Sequence, residues 1–177
     1  MNRRTAIRNV VIISAGAAFL PSCMPDEKSS IVLKNISFTG QQEKMLAELS
    51  ETILPKTKNF IGAKDLKAHE FVLTMVDDCT SPEDQKLFTE GMKSFEDACK
   101  KKWNNHFVKC SPQQQHEWLQ LMEKKDGPPQ NALKFYETVK HYTVQSFTSS
   151  KEYMLNIRKY NMVPGPGFKG CVPAANA

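Results

Sequence analysis

The sequence lacks the motifs that mark most enzymes and repeat proteins. With only 8 glycines in 177 residues, it contains no Gly-rich phosphate loop, no Gly-x-Ser-x-Gly nucleophile turn and no dinucleotide-binding fingerprint. No segment recurs at a fixed period, which excludes a solenoid. No Cys-x-x-Cys is present, which excludes c-type haem attachment and a thioredoxin-like redox pair. We therefore predict no catalytic and no cofactor-binding residues in this chain.

A metal-binding pattern is also missing. None of the four histidines has a second histidine at helical spacing, and the His-Glu neighbours at 69–70 and 116–117 point to different sides of a helix. The acids at 77–78 and 83–84 flank a turn between two helices, where we expect them to stabilise the start of the following helix. We predict no metal site, and surface or capping roles for the histidines, which are His69, His106, His116 and His141.

A strong excess of one charge is lacking too. The formal net charge is +5, but Arg3, Arg4 and Arg8 precede Cys23 with no acid among them. The rest of the chain has 21 Lys and Arg against 19 Asp and Glu. This near balance argues against a nucleic-acid interface. With 40% apolar and 24% charged residues, the composition is that of an ordinary globular domain.

No hydrophobic run is long enough for a permanent membrane helix. The longest, at residues 10–20, has 11 residues, whereas a spanning helix needs about 20. Because it follows an arginine-rich start, we interpret residues 1–22 as a signal peptide. The pair Arg3–Arg4 and the weakly hydrophobic run favour the twin-arginine export route, with an ordinary Sec signal as the alternative.

The residues that end this signal suggest a lipid anchor. Leu20-Pro21-Ser22-Cys23 resembles a bacterial lipobox, in which Cys23 is acylated and becomes the first residue of the mature protein. The alternative is a plain signal peptide followed by an unpaired thiol. Acylation would hold the protein on the periplasmic side of a bacterial membrane, with residues 23–38 as a lipidated tether and extended segment.

From residue 39 onwards the pattern is helical. Thr39, Ser81-Pro82 and Ser111-Pro112 are typical helix starts, while the prolines and glycine near residues 55 and 127 end helices. No hairpin or strand–helix–strand alternation is present. We predict an all-α, single-domain bundle of five to six helices over residues 39–177, with an irregular tail from about residue 162. The second helix is expected at about 65–78, the fifth at 130–147 and a short sixth at 151–159.

Four cysteines follow Cys23, an even number that is consistent with disulfide pairing in an oxidising compartment. Cys79, Cys99, Cys110 and Cys171 allow three pairings. Cys99 and Cys110 are 11 residues apart around a predicted corner, which favours that pair and leaves Cys79 for Cys171. The alternative is four buried free thiols.

Several short motifs resemble those of a known family. They are Phe38-Thr39, the stretch Asp77-Asp78-Cys79-Thr80-Ser81-Pro82-Glu83-Asp84-Gln85 with Phe88 and Gly91, Phe147-Thr148-Ser149-Ser150, Tyr160-Asn161-Met162-Val163-Pro164-Gly165, and Phe168-Lys169-Gly170-Cys171-Val172-Pro173. With the twin-arginine start, they make residues 1 to about 173 resemble a gluconate 2-dehydrogenase subunit 3 family protein.

The resemblance implies a non-catalytic accessory subunit. Such a subunit escorts, stabilises or anchors a periplasmic FAD-dependent sugar or polyol dehydrogenase of the glucose–methanol–choline type, often together with a cytochrome c. The FAD and the catalytic base would then belong to the large subunit. A stand-alone lipoprotein that binds a ligand between its helices, with Trp103, Trp118 and Tyr142 as stacking surfaces, is the second hypothesis. An enzyme in its own right is the third, and the missing motifs disfavour it.

Overall fold

Six α-helices and one short 3₁₀ turn follow one another in the computed structural model, which describes residues 29–160. This part of the chain contains no β-strand, so the all-α prediction is confirmed. None of its helices is long and apolar enough to cross a bilayer. The elements are α1 (Gly40–Ile53), α2 (Ala68–Cys79), α3 (Pro82–Trp103), the 3₁₀ turn (Phe107–Lys109), α4 (Pro112–Lys124), α5 (Gln130–Thr148) and α6 (Lys151–Asn156).

Side-chain caps fix the helix starts where the sequence placed them. Thr39 and Ser111 each accept a hydrogen bond from the backbone N–H three residues ahead and form capping boxes with Gln42 and Gln114. Ser81 accepts from the backbone N–H of Asp84, directly before the proline that opens α3. These contacts satisfy N–H groups that have no partner within the helix.

Two helices are shorter than predicted. α2 begins at Ala68 rather than near residue 65, because Lys67 has a left-handed backbone with φ of 53° that no α-helix can include. α6 ends at Asn156 rather than near residue 159, and Lys159 is also left-handed. In both places short-range backbone hydrogen bonds form a turn, such as that from the Lys67 N–H to the Lys64 carbonyl and that from the Tyr160 N–H to the Met154 carbonyl.

The core is centred on α3 and α5. The ring centroids of Phe88 and Phe135 are 5.0 Å apart, those of Phe95 and Phe135 are 5.5 Å apart, and those of Phe95 and Trp118 are 5.8 Å apart. These tilted and edge-on pairs connect α3, α4 and α5 through one aromatic cluster. α1 and α2 add an aliphatic layer of Leu46, Leu49, Val72, Leu73 and Val76, which are all buried.

Gly91 sets how closely α3 and α5 approach. A Cβ atom at this position would lie 2.6 Å from the carbonyl oxygen of Asn131 and 2.8 Å from the Cβ of Phe135. From propensity alone, Gly91 only weakens α3. The structure shows instead that the absence of a side chain permits the contact between the two helices.

The segment at residues 29–38 has no regular structure, and its apolar side chains pack against the core. It is held by carboxylates: that of Asp77 accepts backbone hydrogen bonds from Lys34 (2.8 Å), Asn35 (2.8 Å) and Ile36 (3.0 Å). The carboxylate of Glu43 accepts a bond from Ser29 Oγ at 2.9 Å. The expectation that Asp77 serves the start of the next helix is therefore wrong, because its carboxylate binds a segment more than 40 residues earlier in the chain.

Candidate functional site

A groove lies between the end of α2, the first half of α3 and the middle of α5. Its volume is about 500 Å³. Val76, Phe88 and Phe135 are buried below it and belong to the core. We call this depression the α2–α3–α5 groove. Its remaining lining residues are Thr80, Asp84, Leu87, Lys134, Glu137, Thr138, His141 and Tyr142.

The polar residues of the groove do not form a catalytic constellation. The carboxylate of Asp84 accepts a hydrogen bond from Ser81 Oγ at 2.8 Å and thus belongs to the cap of α3, as the sequence predicted. His141 is exposed, and its ring contacts that of Tyr142 at 5.1 Å. Across residues 29–160, no three potential metal ligands come together. The groove therefore offers an apolar base with a rim of mixed charge.

Exposed apolar side chains extend the groove at both edges. Leu87 on α3 lines it and is 39% exposed. On α5, Glu137 and His141 line it, and Val144 follows them on the same helical face and is 43% exposed. Apolar side chains beside a depression contribute to a surface suited to protein contacts.

The tryptophans do not provide a sugar-stacking platform together with Tyr142. Trp118 is only 3% exposed and packs edge-on against Trp103 at 5.5 Å. Tyr142 lies elsewhere, in the groove, where it contacts Phe71 of α2 at 6.5 Å. The described structure therefore uses Trp118 as a core residue.

The cysteines occupy two different places. Cys99 and Cys110 are both buried and their sulfur atoms are 3.8 Å apart, while Cys79 is exposed at the last position of α2. The exposure of Cys79 contradicts the alternative of four buried free thiols. Cys99 lies about 25 Å along α3 from the start of that helix, and Cys79 lies just before this start. Cys99 is therefore too far from Cys79 for a disulfide, whereas Cys110 lies beside Cys99. The disulfides themselves stay predictions, and Cys171 lies outside the described residues, as do Arg3, Arg4 and Cys23.

His69 is the exception among the histidines. His106, His116 and His141 are exposed, as expected, but His69 is half-buried, and its Nδ1 atom has no hydrogen-bond partner among residues 29–160. Burial lowers the pKa of His69, although Glu70 and Glu43 act in the opposite direction. The sequence contains a pattern that indicates this burial. The residues three, four and seven positions after His69 are all apolar and buried, which places His69 on the inner face of α2.

Asp77 also carried a signal in the sequence. α2 ends with two acids in its last turn and no base, although the negative end of the helix dipole disfavours carboxylates there. Such a mismatch indicates a partner outside the helix. Burial raises the pKa of Asp77, but the backbone N–H groups of residues 34–36 outweigh it and leave the pKa below its ordinary value.

A comparison with family models identifies the chain. Residues 40–167 match the model of gluconate 2-dehydrogenase subunit 3, a match that begins at the first residue of α1 and includes every helix described above. It covers more than two thirds of the sequence. Searches of curated proteins and of solved structures found no significant match. The chain belongs to the gluconate 2-dehydrogenase subunit 3 family.

Proposed function

We propose that this protein is a non-catalytic accessory subunit that escorts, stabilises or anchors an FAD-dependent dehydrogenase of the glucose–methanol–choline type. The observation that carries the proposal is the family match over all six helices. In this assignment the FAD and the catalytic base belong to the large subunit, which oxidises a sugar or polyol. A cytochrome c subunit is a further expected partner.

The α2–α3–α5 groove is the surface that we propose for the large subunit. A subunit needs at least one face that binds another chain, and this groove combines an apolar base with exposed Leu87 and Val144 at its edges. On the rim, Lys134 supplies a positive charge, and Glu137, whose carboxylate pairs with Lys125 at 2.8 Å, supplies a negative one. Such an apolar centre with a polar rim is the usual anatomy of a protein–protein interface.

Affinity purification of the full-length protein from detergent-solubilised membranes tests the assignment. We expect the purified protein to bring down a flavoprotein, identified by mass spectrometry and by its flavin absorbance. Recovery of the bait alone would contradict the accessory role and favour the stand-alone lipoprotein. Dehydrogenase activity with an artificial electron acceptor in the isolated chain would contradict the non-catalytic assignment.

The groove has a matched control within the chain. Val144→Lys changes a 43% exposed valine beside the groove, whereas Val108→Lys changes a 41% exposed valine on the 3₁₀ turn, which does not line the groove. We expect Val144→Lys to reduce recovery of the flavoprotein about tenfold, as a loss of roughly 1.4 kcal/mol of binding free energy would. Val108→Lys should leave recovery unchanged. Equal effects of the two variants would exclude the groove as the interface.

Export and anchoring form the remaining part of the proposal. Replacing Arg3 and Arg4 together by Lys should retain the precursor in the cytoplasm, since lysine does not reproduce the forked donors of the guanidinium group. Cys23→Ser should release the protein from membranes or leave it unprocessed. Normal export of the double lysine variant would indicate the Sec route. Membrane association of the processed Cys23→Ser protein would indicate that a partner holds it there.

A further inference from the structure

Two thiols lie side by side at the corner between α3 and α4. Cys99 is on the penultimate turn of α3, and Cys110 follows the 3₁₀ turn directly before the cap of α4. Their sulfur atoms are 3.8 Å apart. Cys99 is completely buried, whereas Cys110 retains 7% exposure. The two thiols thus share one environment but differ in access from solvent.

Non-covalent contacts build this corner without a bond between the thiols. Asn104 ends α3 with a left-handed backbone, and its N–H donates to the carbonyl of Lys100. The buried Phe107 then anchors the 3₁₀ turn: its N–H donates to the Glu96 carboxylate at 3.4 Å, and its carbonyl accepts from the Gln115 side chain at 3.0 Å. The reduced protein therefore already holds the two sulfur atoms together.

We propose that Cys99 and Cys110 are a disulfide-forming pair of the folded protein, in which Cys110 reacts first and Cys99 completes the bond. A disulfide places its sulfur atoms about 2.05 Å apart, and rotation of the two side chains about χ1 brings them closer from 3.8 Å. The pairing rests on the corner alone. Only its oxidation in the cell rests on the proposed function, since an exported protein meets disulfide oxidants.

The difference in burial sets the order of the two steps. Because Cys110 is 7% exposed and Cys99 is fully buried, we expect an external disulfide to meet Cys110 first. Burial, and then the neighbouring Cys110 thiol, raise the pKa of Cys99, which keeps it protonated and unreactive towards reagents. Once Cys110 is in a mixed disulfide, it no longer places a negative charge beside Cys99, and this part of the effect on the Cys99 pKa disappears.

The oxidant is a low-molecular-weight or protein disulfide. The Cys110 thiolate attacks one of its sulfur atoms, which forms a mixed disulfide and releases the first reagent thiol. Cys99 then loses its proton and attacks Cys110 Sγ, which forms the Cys99–Cys110 bond and releases the second reagent thiol. Two electrons pass from the cysteine pair to the reagent, and the two cysteine protons end on the two reagent thiols.

The test uses the purified full-length protein and oxidised glutathione, followed by peptide mapping without reduction. We expect a Cys99–Cys110 linked peptide and a melting temperature about 5–10 °C above that of the reduced protein, because the bond closes a loop of about 12 residues. The same treatment of Cys171→Ser, in which the exposed Cys79 has lost its predicted partner, provides the internal control for the reagent. Free thiols at both corner positions, with Cys79 modified and the helical circular dichroism intact, would overturn the pairing.

Single variants, made on the Cys171→Ser background, test the order of reaction. In Cys99→Ala, Cys110 should retain one bound glutathione, because the residue that completes the bond is gone. In Cys110→Ala, Cys99 should stay unmodified while Cys79 reacts. Glutathione on Cys99 in the folded Cys110→Ala variant, at a rate similar to that of Cys79, would overturn the assigned order.

Protein isolated from cells with its thiols blocked separates this inference from the proposed function. A pair that forms with glutathione but is reduced in cells would contradict export and leave the pairing intact. A pair that fails to form in either sample would overturn the inference without affecting membership of the family.

Discussion

The α3–α5 core and the segment at residues 29–38 are held in place in different ways. In the core, Phe88, Phe95 and Phe135 pack through ring contacts of 5.0–5.5 Å and use no side-chain hydrogen bonds. The segment packs apolar side chains against the core, but in addition its polar groups are bound by the carboxylates of Asp77 and Glu43. The stability of the core therefore depends on the shape and volume of its side chains, whereas attachment of the segment also depends on the charge of two carboxylates and so on pH.

Apolar packing and polar attachment occur side by side at the end of α2. Val76 of this helix is a core residue, while Asp77, the next residue, holds the N-terminal segment. Cys79 follows two residues later and is exposed. If Cys171 binds there, as the sequence predicts, the same turn fixes segments from both ends of the chain, one by hydrogen bonds and one by a covalent bond.

The largest effect should come from the aromatic core. Phe95→Ala removes a fully buried ring that contacts Phe107, Trp118 and Phe135. We expect the free energy of unfolding to fall by about 3–5 kcal/mol, because the variant loses apolar burial and leaves a cavity. Urea denaturation measures this change. A loss below 1 kcal/mol would show that the core adapts around the missing ring.

The predicted link between Cys79 and Cys171 should rank second. Cys171→Ser should lower the free energy of unfolding by roughly 2–4 kcal/mol, the usual range for loss of a disulfide. It should also expose the tail to proteolysis and weaken assembly if the tail contributes to the partner surface. Non-reducing peptide mapping of the exported protein provides the direct test. Free thiols at both positions, or a Cys99–Cys171 link, would exclude this pairing.

Gly91→Ala tests shape complementarity at the closest approach of α3 and α5. Helix propensity alone predicts a gain of about 1 kcal/mol. We expect a loss of roughly 1–3 kcal/mol, because the new Cβ would meet the backbone oxygen of Asn131 at 2.6 Å. Thermal unfolding followed by circular dichroism distinguishes the two signs. A more stable variant would show that α3 and α5 separate without cost.

Asp77→Ala tests the polar attachment and has a matched control. The substitution leaves the N–H groups of residues 34–36 without their acceptor, and we expect a loss of about 1–3 kcal/mol. Limited proteolysis should then cut within residues 29–38 while the helices stay intact. Asp78→Ala should change stability by less than about 0.5 kcal/mol, since the contact of the Asp78 carboxylate within the described part of the chain is an exposed pair with Lys34. Similar effects of both variants would contradict the special role of Asp77.

Acid should loosen the segment before it unfolds the core. Burial raises the pKa of Glu43, but hydrogen bonds from Ser30 and Ser29 outweigh it, and the pKa is lowered, as is that of Asp77. The stability that these groups contribute is therefore present above about pH 4, the ordinary carboxyl pKa, and lost as the pH falls further.

His69 adds an earlier and smaller effect of the same sign. Its lowered pKa means that the unfolded chain binds a proton more readily, so stability should begin to decline as the pH falls below about 6.5. Hydrogen-exchange protection of residues 29–38, corrected for the intrinsic pH dependence of amide exchange, follows the carboxylate step from pH 7 to pH 3, and urea denaturation over the same range follows the His69 step. Protection that stays constant in this segment down to pH 3 would exclude control by the two carboxylates.

The sequence determined the features that depend on neighbouring residues. Thr39, Ser81 and Ser111 cap helices through N–H groups three residues away, so local chemistry suffices to place those starts. The spacing of apolar residues determined the all-α class in the same way, because a helix brings residues three and four apart onto one face.

Only the tertiary structure decided what depends on distant residues. Asp77 binds a backbone N–H 43 residues earlier, and Gly91 matters because the backbone of α5 passes within 2.6 Å of its missing Cβ. The α2–α3–α5 groove exists only because three helices separated along the chain meet. Periodicity shows which face of each helix is buried, but the partner of that face is set by how all the faces pack together.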